Sequence, residues 1–199
     1  MIKASGADTV ITGNWGADMS LLVKAGKMAG LNVKYFTFYA GGLGTPAAIG
    51  AAGDGLVNQV SEWHNGLCTE EKKPDDCKFF LDYNKKYSEN GKIPWYYGRI
   101  RTMMEMVAKA IDKAKSADAK AVAFALEGMT LQTPYGTVTM RAEDHQLIQP
   151  LYLSTMTKVG TKGVKYDVEN TGLGWKTDAR IEAAATAMPT TCKMKRPAK

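Results

Sequence analysis

Hydrolysis by a protein requires a nucleophile and a base, and the residue types and positions of the two form a recognisable pattern. A hydrolase of the α/β type places Ser or Cys on a tight turn between a strand and a helix, with a histidine to accept its proton. The two such turns in this sequence hold Asn14-Trp15 and Ala40-Gly41. Neither turn offers a nucleophile, so the sequence does not predict covalent catalysis.

Histidines and acidic residues also form no recognisable catalytic or metal site. His64 follows an apolar segment, and His145 lies among charged residues, where an imidazole usually has a structural or solvated role. The acidic cluster within residues 70–76 is interrupted by Lys72 and Lys73, which is typical of a solvated loop. The glycine-rich turns lack the lysine of a phosphate-binding loop and the three-glycine dinucleotide pattern. We therefore expect no metal, no cofactor and no catalytic residue.

Glycines and aromatic residues occupy the two turns instead. Asn14, Trp15, Tyr39 and Gly41 come directly after two predicted strands. In an open α/β sheet, ligands bind outside the carboxyl ends of the strands. Glycine lets the backbone approach a ligand, and Trp or Tyr supplies an apolar wall with a polar group. These residues favour binding without chemistry, and they are also compatible with simple packing of Trp15 against the neighbouring loop.

The elements that must position these turns alternate between strands and helices. Apolar segments at 9–12, 33–39 and 56–63 predict strands, and helical patterns separate them. Asp18 can accept hydrogen bonds at the start of the first helix, and Gly30 suits its end. Neighbouring strands joined by helices lie parallel. The sequence therefore predicts an α/β fold with a parallel β-sheet flanked by helices.

The rest of the chain predicts further helices and short strands. Residues 66–92 are rich in charge and contain one amphipathic helix, and residues 99–116 predict a longer one. An apolar stripe on the longer helix indicates a side that packs in a core. Residues 147–156 predict a buried strand, which Pro150 confines to an edge or its beginning. The stripe on the longer helix consists of Ile100, Met103, Met104, Val107 and Ile111.

Composition and charge narrow the class of protein further. The chain has 199 residues, 45% of them apolar, and a formal net charge of +6. The basic residues are scattered apart from a cluster at 193–196, which argues against nucleic-acid binding. The longest uncharged stretch, 35–53, contains five glycines and a proline, so it does not predict a membrane span. No signal peptide follows Met1, which by itself favours the cytoplasm.

The cysteines favour a different compartment. Cys68 and Cys77 bracket a polar loop and lack the further ligands of a zinc site. A disulfide closing a loop this short would stabilise by about 2 to 3 kcal/mol and would persist in an oxidising compartment. The alternative is a pair of exposed thiols in the cytosol. Cys192 is left over, which in a secreted protein suggests a partner outside this chain.

Three segments, in this order, resemble one known family. They read IKASGADTVITGNWGADMSLLVKAGKMAGL, AAGDGLVNQVSEW and TPYGTVTMRAEDHQLIQPLYLSTM. Together they resemble the carboxyl-terminal half of the branched-chain amino-acid type periplasmic binding proteins, the substrate receptors of ABC importers. The most specific part is GTVTMRAEDHQLIQPLYL, which looks like the closing segment of that family. The resemblance covers nearly the whole chain apart from the segment between Cys68 and Cys77.

This resemblance implies a partial type I periplasmic-binding fold, in which two α/β lobes enclose a ligand cleft. Residues 1–65 would form the later part of lobe 2, and residues 66–94 a charged insertion with the disulfide. Residues 95–158 would return to lobe 1, and residues 159–199 would form the terminal crossover and tail. The missing amino-terminal half of the same protein would hold the signal peptide and most of lobe 1, and it could supply a partner for Cys192.

The resemblance also implies which residues would contact a ligand. Trp15 falls where the family places an aromatic residue over the ligand side chain, and Asn14 and Gly16 flank it. Tyr96 and its neighbour Tyr97 fall near another aromatic residue of the cleft.

The next loop departs from the pattern of the family. Amino-acid receptors of this kind usually place an acid there to pair with the ligand ammonium, whereas this loop reads Tyr39-Ala40-Gly41-Gly42. A buried ammonium without a countercharge would be costly. We therefore expect a related small carboxylate, amide or aromatic acid in preference to leucine, isoleucine or valine.

These expectations describe a non-catalytic solute receptor. The full-length protein would lie in the periplasm, bind a branched-chain amino acid or a related carboxylate or aromatic acid, and deliver it to an ABC permease in the inner membrane. Nucleic acid is not an expected partner. A self-contained cytosolic α/β enzyme or ligand-sensing domain is the alternative, and a structural interaction module is a third possibility.

Thiol titration tests the expected disulfide between Cys68 and Cys77. In unfolded protein purified without reductant, we expect two fewer reactive thiols than after reduction, because the bond consumes both. Cys77→Ser should abolish that difference, whereas Cys192→Ser should preserve it. Equal counts of thiols before and after reduction would contradict the bond.

Overall fold

A computed structural model of the protein describes residues 2–42, 44–69, 74–87 and 98–198. Its helices are α1 (Ile2–Ser5), α2 (Gly16–Met28), α3 (Thr45–Ile49), α4 (Pro74–Tyr87), α5 (Gly98–Ala114), α6 (Ala119–Leu126) and α7 (Ala183–Thr186). Its strands are β1 (Thr9–Ile11), β2 (Lys34–Phe38), β3 (Val57–Ser61), β4 (Thr130–Thr133), β5 (Gly136–Met140), β6 (Leu147–Ile148), β7 (Leu151–Lys158) and β8 (Leu173–Ile181). The chain divides into two compact units, residues 1–96 with 152–180 and residues 97–151 with 181–199.

The first unit is built on a five-stranded sheet in the order β1-β2-β3-β7-β8. Strands β1, β2 and β3 are parallel to one another, whereas β7 is antiparallel to β3. Parallel neighbours need a crossover connection, and α2 and α3 lie in the two crossovers. The predicted α/β class, with helices flanking a sheet rich in parallel strands, is confirmed.

One face of this sheet packs against α2. Tyr35 and Val57 are register partners on neighbouring parallel strands, so their side chains share a face, and both contact the core that Met19 and Val23 of α2 complete. Gly26 allows the close approach of helix and sheet, because a Cβ at that position would collide with the hydroxyl of Tyr35. The other buried members of this core are Val33, Ala40, Ile49, Met156, Leu173 and Trp175.

The opposite face of the same sheet is largely open in the described part of the chain. Ile11 pairs in register with Phe36, and Phe38 pairs with Val60, so these four side chains share that face. Ile11 is 86% exposed and Phe38 is 53% exposed, while Phe36 and Val60 are half-buried. At β1 and the end of β2 this face therefore has exposed apolar side chains beside the exposed Thr9 and Lys34, whereas at β3 it holds the buried Asn58.

The second unit combines α5 and α6 with a small antiparallel sheet of β4, β5 and β6. Met106, Leu131 and Val138 form its buried core. Asp118 begins α6, since its carboxylate accepts a hydrogen bond of 2.9 Å from the backbone N–H of Ala121.

The segment predicted as one strand over 147–156 is two strands, β6 and β7. Pro150 lies between them and has no N–H to continue a ladder, which explains the interruption. The segment boundaries predicted from the sequence place residues 95–158 in one segment. Strand β7, however, pairs with β3 in the sheet of the first unit, so residues 152–158 lie in that unit.

The buried side of helix α5 is not the side that the sequence predicts. Thr102, Met106 and Ala110 form the buried side. The stripe predicted to pack in a core is mostly exposed: Met103 is 50% exposed and Met104 is 61% exposed. Among the described residues, no helix is both long and apolar enough to cross a membrane.

Substitution of Gly26 tests the close packing of α2 on the sheet. Alanine would favour the helix by about 1 kcal/mol, but its Cβ meets Tyr35 in the packed core. We expect Gly26→Ala to lower the free energy of unfolding by about 2 kcal/mol, because overpacking outweighs propensity. Urea unfolding measures this change.

The matched control for this prediction is Tyr35→Phe. The buried Tyr35 hydroxyl has no hydrogen-bond partner among the described residues, so removing it should be neutral or stabilising and should also relieve most of the Gly26→Ala loss. An equal loss from Gly26→Ala in both backgrounds would contradict the assigned cause.

Candidate functional site

The carboxyl ends of β1, β2 and β3 meet at one edge of the first unit's sheet. The strands are parallel and in register there, with Ile11 opposite Phe36 and Phe38 opposite Val60. Their exit loops therefore lie side by side, at the position where open α/β sheets bind ligands. Of the predicted site residues, six come to this edge: Asn14, Trp15, Gly16, Tyr39, Ala40 and Gly41.

The exit loop of β1 is fixed by hydrogen bonds to its own threonine and to β2. The backbone N–H of Thr12 donates to the carbonyl oxygen of Phe36 at 2.9 Å. Thr12 Oγ1 donates to Asn14 Oδ1, and the buried Thr37 Oγ1 donates to the Asn14 carbonyl oxygen. Both the side chain and the backbone of Asn14 therefore serve the loop itself.

Trp15 is presented to solvent by this fixed loop. It is the residue before α2, with an extended backbone (φ −146°, ψ 167°), and its side chain is 71% exposed. Gly16 follows with φ +58°, a conformation that an L-residue with a side chain adopts only under strain. Asp18 is predicted to cap α2, but it lies inside the first turn of the helix, and Trp15 is the residue at the cap position. The loop thus presents an aromatic side chain to solvent.

The exit loop of β2 is fixed by side chains of β3. Tyr39 has a positive φ of +66°, and its hydroxyl donates a hydrogen bond to Glu62 Oε2. The backbone N–H of Gly41 donates to Gln59 Oε1 at 2.7 Å. A Cβ on Gly41 would stand 2.9 Å from the same Gln59 oxygen, so only glycine fits there without displacing a buried side chain. Ala40 is fully buried, so residue 40 can offer a ligand only its backbone.

Gln59 and Glu62 position the exit loop of β2, and reasoning from the sequence missed both. Both are nearly fully buried, at 2% and 5% exposure, and both bond to the exit loop of the preceding strand. Gln59 lies in β3 beside the polar residues Asn58 and Ser61, which are also buried, and this concentration of polar residues in a strand of the core is the signal that could have indicated it. Glu62 brings to this edge an acid that the loop after β2 lacks, and only the pairing of β2 with β3 places it beside Tyr39.

His64 is a buried structural residue near the same edge. It is 3% exposed, and its Nε2 lies 3.2 Å from Thr177 Oγ1. Burial lowers the pKa of His64 to about 3, against the opposing attraction of Asp178, which raises it. The imidazole is therefore neutral at pH 7, and the edge gains no positive charge from it.

The second unit places the other histidine in a network of charged side chains. His145 has φ +57°, and its Nε2 lies 3.3 Å from Glu127 Oε1. Arg141 Nε donates to Asp144 Oδ1 at 2.8 Å, and this hydrogen bond holds the pKa of Asp144 well below its usual range. Arg141 Nη1 also donates to the carbonyl oxygen of Met188 at 2.6 Å. The segment with His145 thus anchors the chain near its carboxyl end.

Two further predicted site residues, Tyr96 and Tyr97, lie outside the described residues. Of the predicted disulfide pair, Cys68 is half-buried in a 3-10 turn and Cys77 is buried on α4. The bond between them stays a prediction. Cys192 is exposed near the carboxyl end.

The fold is that of an α/β protein whose strand exit loops meet at one edge of a mainly parallel sheet, and comparisons with known proteins identify its family. The family described as "Periplasmic binding protein" matches residues 1–162. A curated relative, the Leu/Ile/Val-binding protein homolog 4 of Brucella abortus, is 31% identical over 207 residues, which cover 98% of this chain and 46% of the relative. The chain belongs to the periplasmic binding protein family, and it spans about half the length of the curated relatives it matches first.

Solved structures show the same relationship. The leucine-, isoleucine-, valine-, threonine-, and alanine-binding protein from Brucella ovis, in its closed conformation, aligns with a TM-score of 0.80 and 26% identity. That alignment covers 98% of this chain and 49% of the other. A solute-binding protein of Rhodopseudomonas palustris in complex with p-hydroxybenzoic acid aligns with a TM-score of 0.66 at 20% identity, covering 92% and 47%, and shows the fold alone.

Acid titration of stability tests the burial of His64. Its pKa in the folded protein is far below the ordinary 6.5, so the unfolded chain takes up a proton first as the pH falls. The contribution of the neutral His64 side chain to the free energy of unfolding is complete above pH 6.5 and is lost as the pH falls toward 3. Between pH 7 and pH 5 we expect the free energy of unfolding to fall by about 2 kcal/mol from this group.

Urea unfolding at the two pH values measures that loss. His64→Gln should remove it, whereas His145→Gln in the second unit should leave it in place. A wild-type stability that is flat from pH 7 to pH 5, or a loss that persists in His64→Gln, would contradict the assignment.

Proposed function

We propose that the whole protein is the periplasmic solute receptor of an ABC importer and that it binds a small organic ligand without catalysis. The ligand is a branched-chain amino acid or a related carboxylate or aromatic acid. It lies at the edge formed by the exit loops of β1 and β2, against Trp15, Gly16, Tyr39 and Gly41. The receptor then delivers it to a permease in the inner membrane.

The observation that supports this proposal most is the exposed Trp15 on a loop that the sheet holds rigidly. Asn14 and Thr37 use their polar groups to fix the loop, and the Trp15 ring remains 71% exposed. An apolar ring fixed on a rigid loop at the binding edge is suited to form one wall of a ligand site. Relatives named as binding proteins support the same function.

The charges at the edge bear on the class of ligand. The loop after β2 has no acid, which favoured a ligand other than a standard amino acid. Glu62 now supplies a buried carboxylate bonded to Tyr39, and the stretches 12–18, 39–42 and 59–66 contain no Lys or Arg. Such an edge favours an ammonium or hydroxyl donor of the ligand over its carboxylate. Amino acids and hydroxylated aromatic acids both stay within the proposal.

The remaining elements of the proposal concern the whole protein. Its ligand carboxylate would be bound by the amino-terminal half that lies outside this sequence, and Tyr96 and Tyr97 stay predicted contacts. The oxidising periplasm is compatible with a bond between Cys68 and Cys77.

Calorimetric titration of the full-length protein tests the ligand and the role of Trp15 together. The panel contains L-leucine, L-valine, benzoate and 4-hydroxybenzoate. We expect one of them to bind, and Trp15→Ala to weaken that binding at least about fivefold, or about 1 kcal/mol, because truncation removes an aromatic ring that the bound ligand would cover.

Two variants serve as controls. Trp15→Phe should retain most of the affinity, and Leu21→Ala, which truncates an exposed side chain on α2, should retain all of it. Unchanged affinity in Trp15→Ala would return Trp15 to a packing role. Absence of heat with every member of a broad amino-acid and aromatic-acid panel would count against a solute receptor.

A further inference from the structure

The exit loop of β2 is held at its end as well as at its start. Tyr39 and Gly41, near the start, bond to side chains in and just after β3. The loop ends at Gly44, the residue before α3, whose backbone N–H donates to Glu169 Oε1 at 2.5 Å. The backbone N–H of Ala47, in α3, donates to Glu169 Oε2 at 2.9 Å. We name these two hydrogen bonds the Glu169 contact.

The start of α3 has no side chain of its own that could replace the Glu169 contact. The backbone N–H of Thr45 donates to a carbonyl oxygen of the loop, and Pro46 has no N–H. The Thr45 hydroxyl is buried and has no hydrogen-bond partner among the described residues. Gly44 and Ala47 therefore depend on Glu169, and a carboxylate that accepts from amides at the start of a helix is favourably placed.

Glu169 lies in the connection between β7 and β8, in a turn whose backbone ordinarily takes other residue types. Glu169 and Asn170 both have φ +56°. They are the central residues of a turn in which the Thr171 N–H donates to the Val168 carbonyl oxygen at 3.3 Å. Gly and Asn are the usual residues with such φ values, and a larger residue there often marks a functional constraint. The backbone conformation explains Asn170, whereas the contact with the loop of β2 explains Glu169.

The turn that carries Glu169 is itself fixed within the first unit. The carboxylate of Asp167 accepts hydrogen bonds from the backbone N–H groups of Thr171, at 3.1 Å, and Gly172. The carbonyl oxygen of Asp167 accepts a hydrogen bond of 3.0 Å from Asn65 Nδ2, and Asn65 lies shortly after β3. The turn is therefore bonded to the chain that follows β3, while Glu169 extends from it to the loop that follows β2.

We propose that Glu169 is a positioning residue of the ligand site, which holds the end of the exit loop of β2 so that Tyr39 and Gly41 keep their binding geometry. This inference rests on the proposed function, because it requires a ligand that lies against this loop. The loop reads Tyr-Ala-Gly-Gly-Leu-Gly, with three glycines among its six residues. Glycine loses more conformational freedom than any other residue when it is ordered, so contacts that order this loop in advance raise the affinity.

Hydrogen exchange in the full-length protein without ligand tests the Glu169 contact itself. Mass spectrometry of the peptide over residues 42–49 reports the amides of Gly44 and Ala47, and the peptide over residues 9–15 reports the exit loop of β1. We expect Glu169→Ala to speed exchange of the two amides at least about tenfold and to leave residues 9–15 unchanged, because only the first peptide loses hydrogen bonds. Unchanged exchange over residues 42–49 would overturn the proposal.

Calorimetric titration of the full-length protein tests the effect on binding, with the one of L-leucine, L-valine, benzoate and 4-hydroxybenzoate that binds the wild type. Glu169→Ala should weaken binding at least about threefold, and Glu169→Gln, which keeps an acceptor oxygen, should lose less. The matched control is Asp54→Asn, which should keep the wild-type affinity. Its carboxylate also accepts a hydrogen bond, of 3.1 Å from Thr157 Oγ1, but it lies before the amino end of β3.

The two measurements separate this inference from the proposed function. Faster exchange in Glu169→Ala with the affinity of the wild type would make Glu169 a helix cap without a role in binding, which would overturn the inference and leave the receptor supported. A wild-type protein that binds no member of the panel would contradict the receptor and the positioning role together. Near-ultraviolet circular dichroism confirms that each variant is folded, and Glu169→Gln serves for both measurements if Glu169→Ala does not fold.

Discussion

The site depends on hydrogen bonds that join each exit loop to the next strand of the parallel sheet. Thr37 of β2 donates to the backbone at Asn14, and Gln59 and Glu62, in and just after β3, bond to Gly41 and Tyr39. These side chains are buried, so breaking a bond would leave a polar group unsatisfied in the core. The loops are therefore held by hydrogen bonds to buried side chains of the sheet.

Neighbouring residues of the two exit loops have different roles. The polar groups of Asn14 and Gly41 form hydrogen bonds within the protein, and Ala40 packs in the core. Trp15 and Tyr39 remain as the large side chains that the loops direct toward the edge. A rigid loop with an exposed aromatic ring loses little conformational entropy when it contacts a ligand, which is the general advantage of a preorganised site.

Both units of the chain are stabilised by one packed apolar layer and also have exposed apolar side chains. The exposed Ile11 and Phe38 and the exposed stripe of α5 are of the same kind, and neither is explained by the residues that the structure describes. The hydrogen bonds that fix the two exit loops do not involve these exposed side chains, so the proposed binding at the edge is a separate property.

The sequence by itself determined the α/β class, the parallel strands and the edge to which Trp15 belongs, because apolar periodicity and turn residues are local signals. It also determined the family, through ordered segments around Trp15 and His145. It misjudged the apolar stripe of α5, since periodicity reveals an apolar side but not whether anything covers it. Only the tertiary structure decided that Gln59 and Glu62 hold the loop of β2, because strand pairing joins residues about twenty positions apart in the chain.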